Sequence, residues 1–146
     1  MEKNNSESRY EELIRLALKA RELSYAPYSD FCVGACLETK SGKLFSGCNI
    51  ENAGYTATNC AERTAFFKAV SEGEREFQKI AIVGGKAGRE LDYCAPCGVC
   101  LQVMEEFCNP KQFEIILAKS EKECQIYLLE DLLPMGFGPG NLTEDR

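Results

Sequence analysis

Histidine is missing from this chain of 146 residues. That absence removes a large part of hydrolytic chemistry: no Ser-His-Asp triad, no Cys-His pair and no two-histidine metal centre can be built from it. Long apolar runs are missing too. No stretch of about 18 apolar residues occurs, so no segment reads as a membrane span. The polar start, Met1-Glu2-Lys3-Asn4-Asn5-Ser6-Glu7, is not followed by a signal-peptide core, and a cytoplasmic chain is expected. Nor is there a basic stripe. At a formal net charge of −6 the chain is poorly suited to nucleic acid, whose binding draws most of its affinity from phosphate neutralisation. A small neutral ligand fits better. Repeats, linkers and low-complexity blocks are also absent, while 45% hydrophobic residues suffice for a core. One domain over residues 1–146 is expected, with polar ends at 1–8 and 141–146 as flexible segments.

Cysteine, by contrast, is plentiful, at nine residues. In a cytoplasmic chain these read as metal ligands and buried thiols rather than disulfides. Three of them form a pattern: Cys60-Ala61-Glu62, then Pro96-Cys97-Gly98-Val99-Cys100. Both segments read as helix starts, where backbone N–H groups favour negative charge and lower a thiol's pKa. Two cysteines one helical turn apart put both sulfurs on one side. Three thiolates on zinc leave a fourth position for water, as hydrolysis requires. Glu62, in the same first turn as Cys60, can face that position without ligating and move protons between water and substrate. Arg63 offers a cation against the net −1 of zinc with three thiolates.

Other readings compete. Glu62 would also suit the dipole of its helix. Cys-x-x-Cys alone would suit a redox pair, but leaves Cys60 and Glu62 without a role. Cys94 as a fourth ligand would close the site, exclude water and imply a zinc-stabilised interaction module. The Gly84–Gly88 segment matches neither a Walker nor a dinucleotide spacing and reads as a loop.

Around these motifs the pattern gives an order α-β-β-α-β-α-β-β. Tyr10, Leu13, Ile14 and Ala17 mark a first helix ending near Leu23. Phe31, Val33, Ala35 and Leu37 alternate along a strand, Ser41-Gly42 turns, and Leu44-Phe45 returns. Gly47–Asn59 is a loop, and Thr58 or Asn59 would cap a helix from about Cys60 to Val70. Ile80–Val83 is a buried strand, and Val99, Cys100, Val103, Met104 and Phe107 form a helix face. Phe113–Ala118 and Gln125–Leu129 are strands, and the tail from Pro134 is irregular. This predicts an α/β fold: three α/β/α layers around a mixed five-stranded sheet, with right-handed crossovers after the third strand.

The His/Cys-x-Glu and Pro-Cys-x-x-Cys pattern is that of zinc nucleobase deaminases. Its neighbours narrow the resemblance. Pro27-Tyr28-Ser29-x-Phe31-x-Val33-Gly34-Ala35, Gly47-Cys48-Asn49-Ile50-Glu51-Asn52-Ala53 and Asn59-Cys60-Ala61-Glu62-Arg63-Thr64-Ala65 resemble the small homotetrameric cytidine deaminases. The resemblance runs from about Tyr10 to Leu133-Pro134-x-x-Phe137-Gly138. It implies one Zn2+ per subunit on Cys60, Cys97 and Cys100, with Glu62 as proton shuttle in pyrimidine salvage. It further implies Asn49 and Glu51 on the ribose hydroxyls, Phe31 on the pyrimidine ring and the Ala61 backbone on the base's polar edge. Tyr55 and Phe137 would reach a neighbouring subunit's pocket, so that active sites are shared. The chain departs from the pattern at Leu101, where relatives carry Arg, and at Gly54, where serine or alanine is common. Deaminases of cytosine-containing antibiotic nucleosides share the zinc motif and are the enzymatic alternative.

Overall fold

Patterning with periods of 2 and 3.6 sorts the apolar residues onto the two faces of one sheet. The structure, a computed structural model, describes residues 2–143, with side chains from Glu7 onward. The reading of 1–8 and 141–146 as flexible therefore falls partly outside the described residues. In chain order come α1 (Glu2–Arg21), β1 (Phe31–Thr39), β2 (Leu44–Cys48), α2 (Ala61–Ser71), β3 (Phe77–Lys86), α3 (Gly98–Phe107), β4 (Glu114–Ala118), β5 (Cys124–Leu128) and α4 (Leu129–Leu132). The strands lie in the order β2-β1-β3-β4-β5. Only β3 and β4 are parallel, and the other neighbours run antiparallel.

Alternation along each strand divides the core. On one face Cys36, Ala81, Val83, Ile116 and Ala118 meet Leu13, Ile14 and Ala17 of α1. On the other, Val33, Ala35, Leu37, Ile80, Ile82, Ile115 and Leu117 meet α2, α3 and α4. The expected three layers are present. Phe66 lies at the centre of the second face, edge-on to Phe77 with ring centroids 5.0 Å apart and flanked by Phe107 and Phe113. Two glycines let the helices close on the sheet. A Cβ at Gly34 would lie 2.0 Å from the Ala17 carbonyl, and one at Gly47 would lie 2.6 Å from both the Ala61 carbonyl and the Ala65 nitrogen. Gly47 thus brings α2 tight against β2.

Several boundaries differ from the sequence reading, each for a reason of packing. The Gly84–Gly88 loop begins later than expected, because Gly84, Gly85 and Lys86 pair with Val33, Cys32 and Phe31 as the end of β3. Gly84 is there for space: its Cβ would sit 2.8 Å from the Cys94 sulfur. β2 extends into the expected loop as far as Cys48. Of the connections after the third strand, only β3–β4 is a crossover, through α3. β4 and β5 are antiparallel across the short Lys119–Glu123 loop, and a crossover needs about a dozen residues or more. Val99 is exposed, and α3 buries Cys100, Leu101 and Met104 instead. The first helix stops at Arg21, leaving Leu23 exposed. The N-cap of α2 is Cys60 rather than Thr58 or Asn59, and the short α4 was not expected.

One end of the sheet gathers the chemistry. The register Phe31↔Lys86 and Gly34↔Cys48 puts the start of β1 beside the ends of β3 and β2. The loops leaving those ends lead directly to the first turns of α2 and α3.

Candidate active site

Cys60 and Cys97 are the N-cap residues of α2 and α3, both extended and neither making a side-chain cap. Their sulfurs are free of local duty and turn toward each other. Cys60 is held in place by a reciprocal backbone pair: Ile50 donates to the Asn59 carbonyl and Asn59 to the Ile50 carbonyl, both at 2.9 Å. The Cys60 and Cys97 sulfurs are 3.8 Å apart, those of Cys97 and Cys100 3.6 Å, and all three lie within 4.8 Å of one another. Tetrahedral zinc with Zn–S bonds of about 2.3 Å separates its sulfurs by ~3.8 Å. Three soft donors at this spacing fit zinc. Among the described residues they are the single cluster of three or more potential ligands.

Cys94 does not join them. Its sulfur packs toward Gly84 at the end of β3, and burial pushes its thiol up to about 11. The four-cysteine closed site is therefore not what the fold builds, and a fourth position on the metal is left to another ligand.

Charge around the cluster comes from Arg63, whose Nη2 donates to the Cys60 sulfur at 3.3 Å. The Cys100 thiol, and after it Arg63 and Cys97, push Cys60 down to about 5 against the effect of burial. Cys100 moves the opposite way, first through its bond to Cys60 and then through burial. Leu101 is 8% exposed and part of the main core. The cation near the sulfurs is that of Arg63.

Glu62 is the second residue of α2 and only 4% exposed. Burial pushes its carboxyl up to about 7, opposed by the Cys100 thiol and assisted by charge on Cys60. A carboxyl beside a metal cluster that can both give and take a proton near neutrality is suited to acid–base work. Ala61, fully buried, is the first residue of α2, so its N–H is one of the first-turn amides without an intrahelical partner.

The other expected residues surround this end of the sheet. Phe31 opens β1, is 38% exposed, and lines a cavity of about 240 Å³ with Gly84 and Tyr93. Asn49 is buried. Its Oδ1 accepts from the Val33 N–H at 2.9 Å, and its Nδ2 donates to the Phe31 carbonyl at 2.8 Å. Glu51 and Tyr55 line a second cavity of about 370 Å³ with Tyr28, Ser29 and Thr58. Tyr55 is exposed and meets Tyr28 edge-on. Phe137 is exposed in the tail, where its carbonyl accepts from Gln102 of α3 at 2.7 Å. Sequence reasoning missed Ser29, which hydrogen-bonds Glu51, and Gln102, which anchors the tail. Ser29 lies in the Pro27-Tyr28-Ser29 motif, which alone does not show its bond to Glu51, and nothing in the sequence singles out Gln102.

An α/β/α sandwich with an open three-cysteine metal site and a buried carboxylate at two helix N-termini defines a zinc-dependent deaminase. Comparison with known proteins gives the same class. The family model for the cytidine and deoxycytidylate deaminase zinc-binding region matches residues 7–115. Cytidine deaminase of Sporosarcina psychrophila is 45% identical over 133 residues, covering 91% of this chain and 94% of that one. The Halalkalibacterium halodurans cytidine deaminase is 46% identical over 132 residues, covering 90% and 96%. The crystal structure of cytidine deaminase from Burkholderia pseudomallei superposes with a TM-score of 0.77 at 48% identity, over 86% of this chain and 97% of that one. The chain belongs to the cytidine and deoxycytidylate deaminase family.

Proposed function

We propose that this enzyme hydrolyses cytidine and deoxycytidine to uridine and deoxyuridine, releasing ammonia, at the site formed by Cys60, Cys97, Cys100 and Glu62. The observation that carries the reading is the three-sulfur cluster, spaced for one metal ion, with a buried carboxylate one residue into the helix that Cys60 caps. Bound zinc supplies the Lewis acid that makes water a nucleophile near neutral pH. Cys60, Cys97 and Cys100 hold it, and Arg63 offsets the excess negative charge of the sulfurs. Glu62 takes the proton of the attacking water and delivers it to ring N3. It then takes the second proton, from the hydroxyl now on C4, and passes it to the amine, so that the C4–N bond breaks, ammonia leaves and the C4 carbonyl forms; one carboxyl serves as base and acid in turn.

Binding is assigned to the surrounding residues. Phe31 packs on the pyrimidine, the Ala61 N–H reads its polar edge, and Asn49 and Glu51 take the ribose hydroxyls. Asn49 keeps one N–H and one carbonyl lone pair after its two bonds to β1, enough for one hydroxyl. Such contacts, remote from C4, supply orientation and binding energy to the reacting centre. Tyr55 and Phe137, both exposed in the single chain, complete the pocket of a neighbouring subunit in a homotetramer. The whole chain acts as one catalytic domain in pyrimidine salvage in the cytoplasm. Among the described residues no helix is long and apolar enough to cross a membrane.

The test joins two measurements on the purified protein: metal content, and loss of ultraviolet absorbance on mixing with cytidine or with a cytosine-containing antibiotic nucleoside. One zinc per chain with turnover of cytidine is expected. Turnover of the antibiotic alone would move the assignment to that enzyme class, and zinc without turnover of either would favour an interaction module.

A further inference from the structure

Glu51 is held by more than its own loop. Its backbone N–H donates to the Tyr25 carbonyl at 2.8 Å. Its Oε1 accepts from the Tyr28 N–H at 2.9 Å and the Ser29 N–H at 3.2 Å, and its Oε2 accepts from the Ser29 hydroxyl. That hydroxyl oxygen in turn accepts from the Phe31 N–H at 3.0 Å. The geometry is possible because Asp30, between them, turns through left-handed backbone at φ 59°, a conformation uncommon outside glycine, asparagine and aspartate. A single hydroxyl therefore links the backbone of the residue assigned to the base with the carboxylate assigned to the ribose.

The geometry points to Ser29 as a positioning residue for substrate binding: it fixes the Glu51 carboxylate in the orientation that receives a ribose hydroxyl and couples that orientation to Phe31. The inference rests on the reading of Glu51 as a ribose ligand. Lone-pair bookkeeping gives it content. Two N–H donors occupy Oε1 and one O–H occupies Oε2, so the open acceptor direction of this carboxylate is on Oε2. Without the Ser29 hydroxyl, the backbone donors on Oε1 remain but nothing fixes the rotation that aims Oε2. Ser29 also stabilises the ionised form. Its hydroxyl is the first cause that holds Glu51 below the usual carboxylate range, ahead of the two backbone N–H groups. A preorganised, ionised acceptor costs the substrate less ordering on binding.

A loop staple that serves only the fold would touch every substrate equally, and that is the contrast to measure. In Ser29→Ala, KM for cytidine should rise about tenfold, the size of one charge-assisted hydrogen bond. Turnover at saturation should change less than about twofold, since uniform binding is what is lost. The inhibition constant of 2′,3′-dideoxycytidine against cytidine should change less than about twofold, because that ligand lacks the 2′- and 3′-hydroxyls, the ring hydroxyls assigned to Glu51, and keeps only the 5′-hydroxyl. Ser29→Thr, which keeps the hydroxyl, should restore KM. Melting temperature and zinc content are followed in each variant. Glu51→Gln is measured in parallel to separate the two levels of the claim. If Glu51→Gln leaves KM for cytidine unchanged, the ribose assignment falls and this inference with it. If Glu51→Gln raises KM while Ser29→Ala does not, or if Ser29→Ala weakens cytidine and dideoxycytidine alike, the ribose assignment stands and the role given to Ser29 is overturned.

Discussion

Asn49 is engaged by β1 before any ligand arrives: Oδ1 accepts from Val33 and Nδ2 donates to Phe31. Asn49→Ala should therefore lower stability by about 1–3 kcal/mol, the cost of stranding buried polar groups, as well as raise KM. Denaturant unfolding checks the first effect, and an unchanged midpoint would contradict it. Cys94→Ser should keep both zinc and turnover, as metal analysis and a cytidine assay would show, because the Cys94 sulfur packs on Gly84 rather than among the ligands. Cys60, Cys97, Cys100 and Glu62 were legible in the sequence because their spacing within helix turns sets their geometry locally. The second role of Asn49 was not legible. It depends on which residues of β1 lie across from it, and register is a property of the folded sheet. Arg63, by contrast, was legible, because its place in the first turns of the helix that Cys60 caps brings its guanidinium to the Cys60 sulfur, whereas the burial of Leu101 again depends on packing.

Among the elements, α2 matters most, since it carries Cys60 at its cap and Glu62 in its first turn. Its distance from β2 is set by Gly47, where a methyl group would enter the backbone of Ala61 and Ala65. Gly47→Ala should displace the start of α2, cost about 1–3 kcal/mol of stability as overpacking does, and lower zinc content and turnover together. A variant with full zinc and full rate would show that α2 tolerates the shift. The strands and helices were largely predictable from periodicity, since alternating and 3.6-residue patterns record which face is buried. Gly84 and Gly85 misled because glycine pairs signal turns, whereas here they clear room for Cys94 and Leu91. The rotation of α3 was misread at Val99 because turning Cys100 inward toward the other sulfurs fixes which side of that helix is buried.

For the molecule as a whole, the proposed assembly and the metal each carry a test. Phe137, tied to α3 through Gln102, should weaken nucleoside binding when changed to Ala. In native mass spectrometry the protein should run as four chains, and an active monomer with unchanged KM in Phe137→Ala would contradict the shared pocket. Stripping zinc with a chelator should abolish turnover and lower the melting temperature. A metal that binds only the folded chain stabilises it by mass action, and adding zinc back should restore both. The proposed reaction depends most on Glu62, assigned to move protons without holding the metal. The direct test is Glu62→Gln, assayed for zinc per chain and for cytidine turnover. One zinc per chain is expected, as in the unaltered protein, with turnover reduced at least about a hundredfold, the lower range for loss of general acid–base catalysis. Substantial residual deamination, or loss of the metal with the carboxylate, would contradict it.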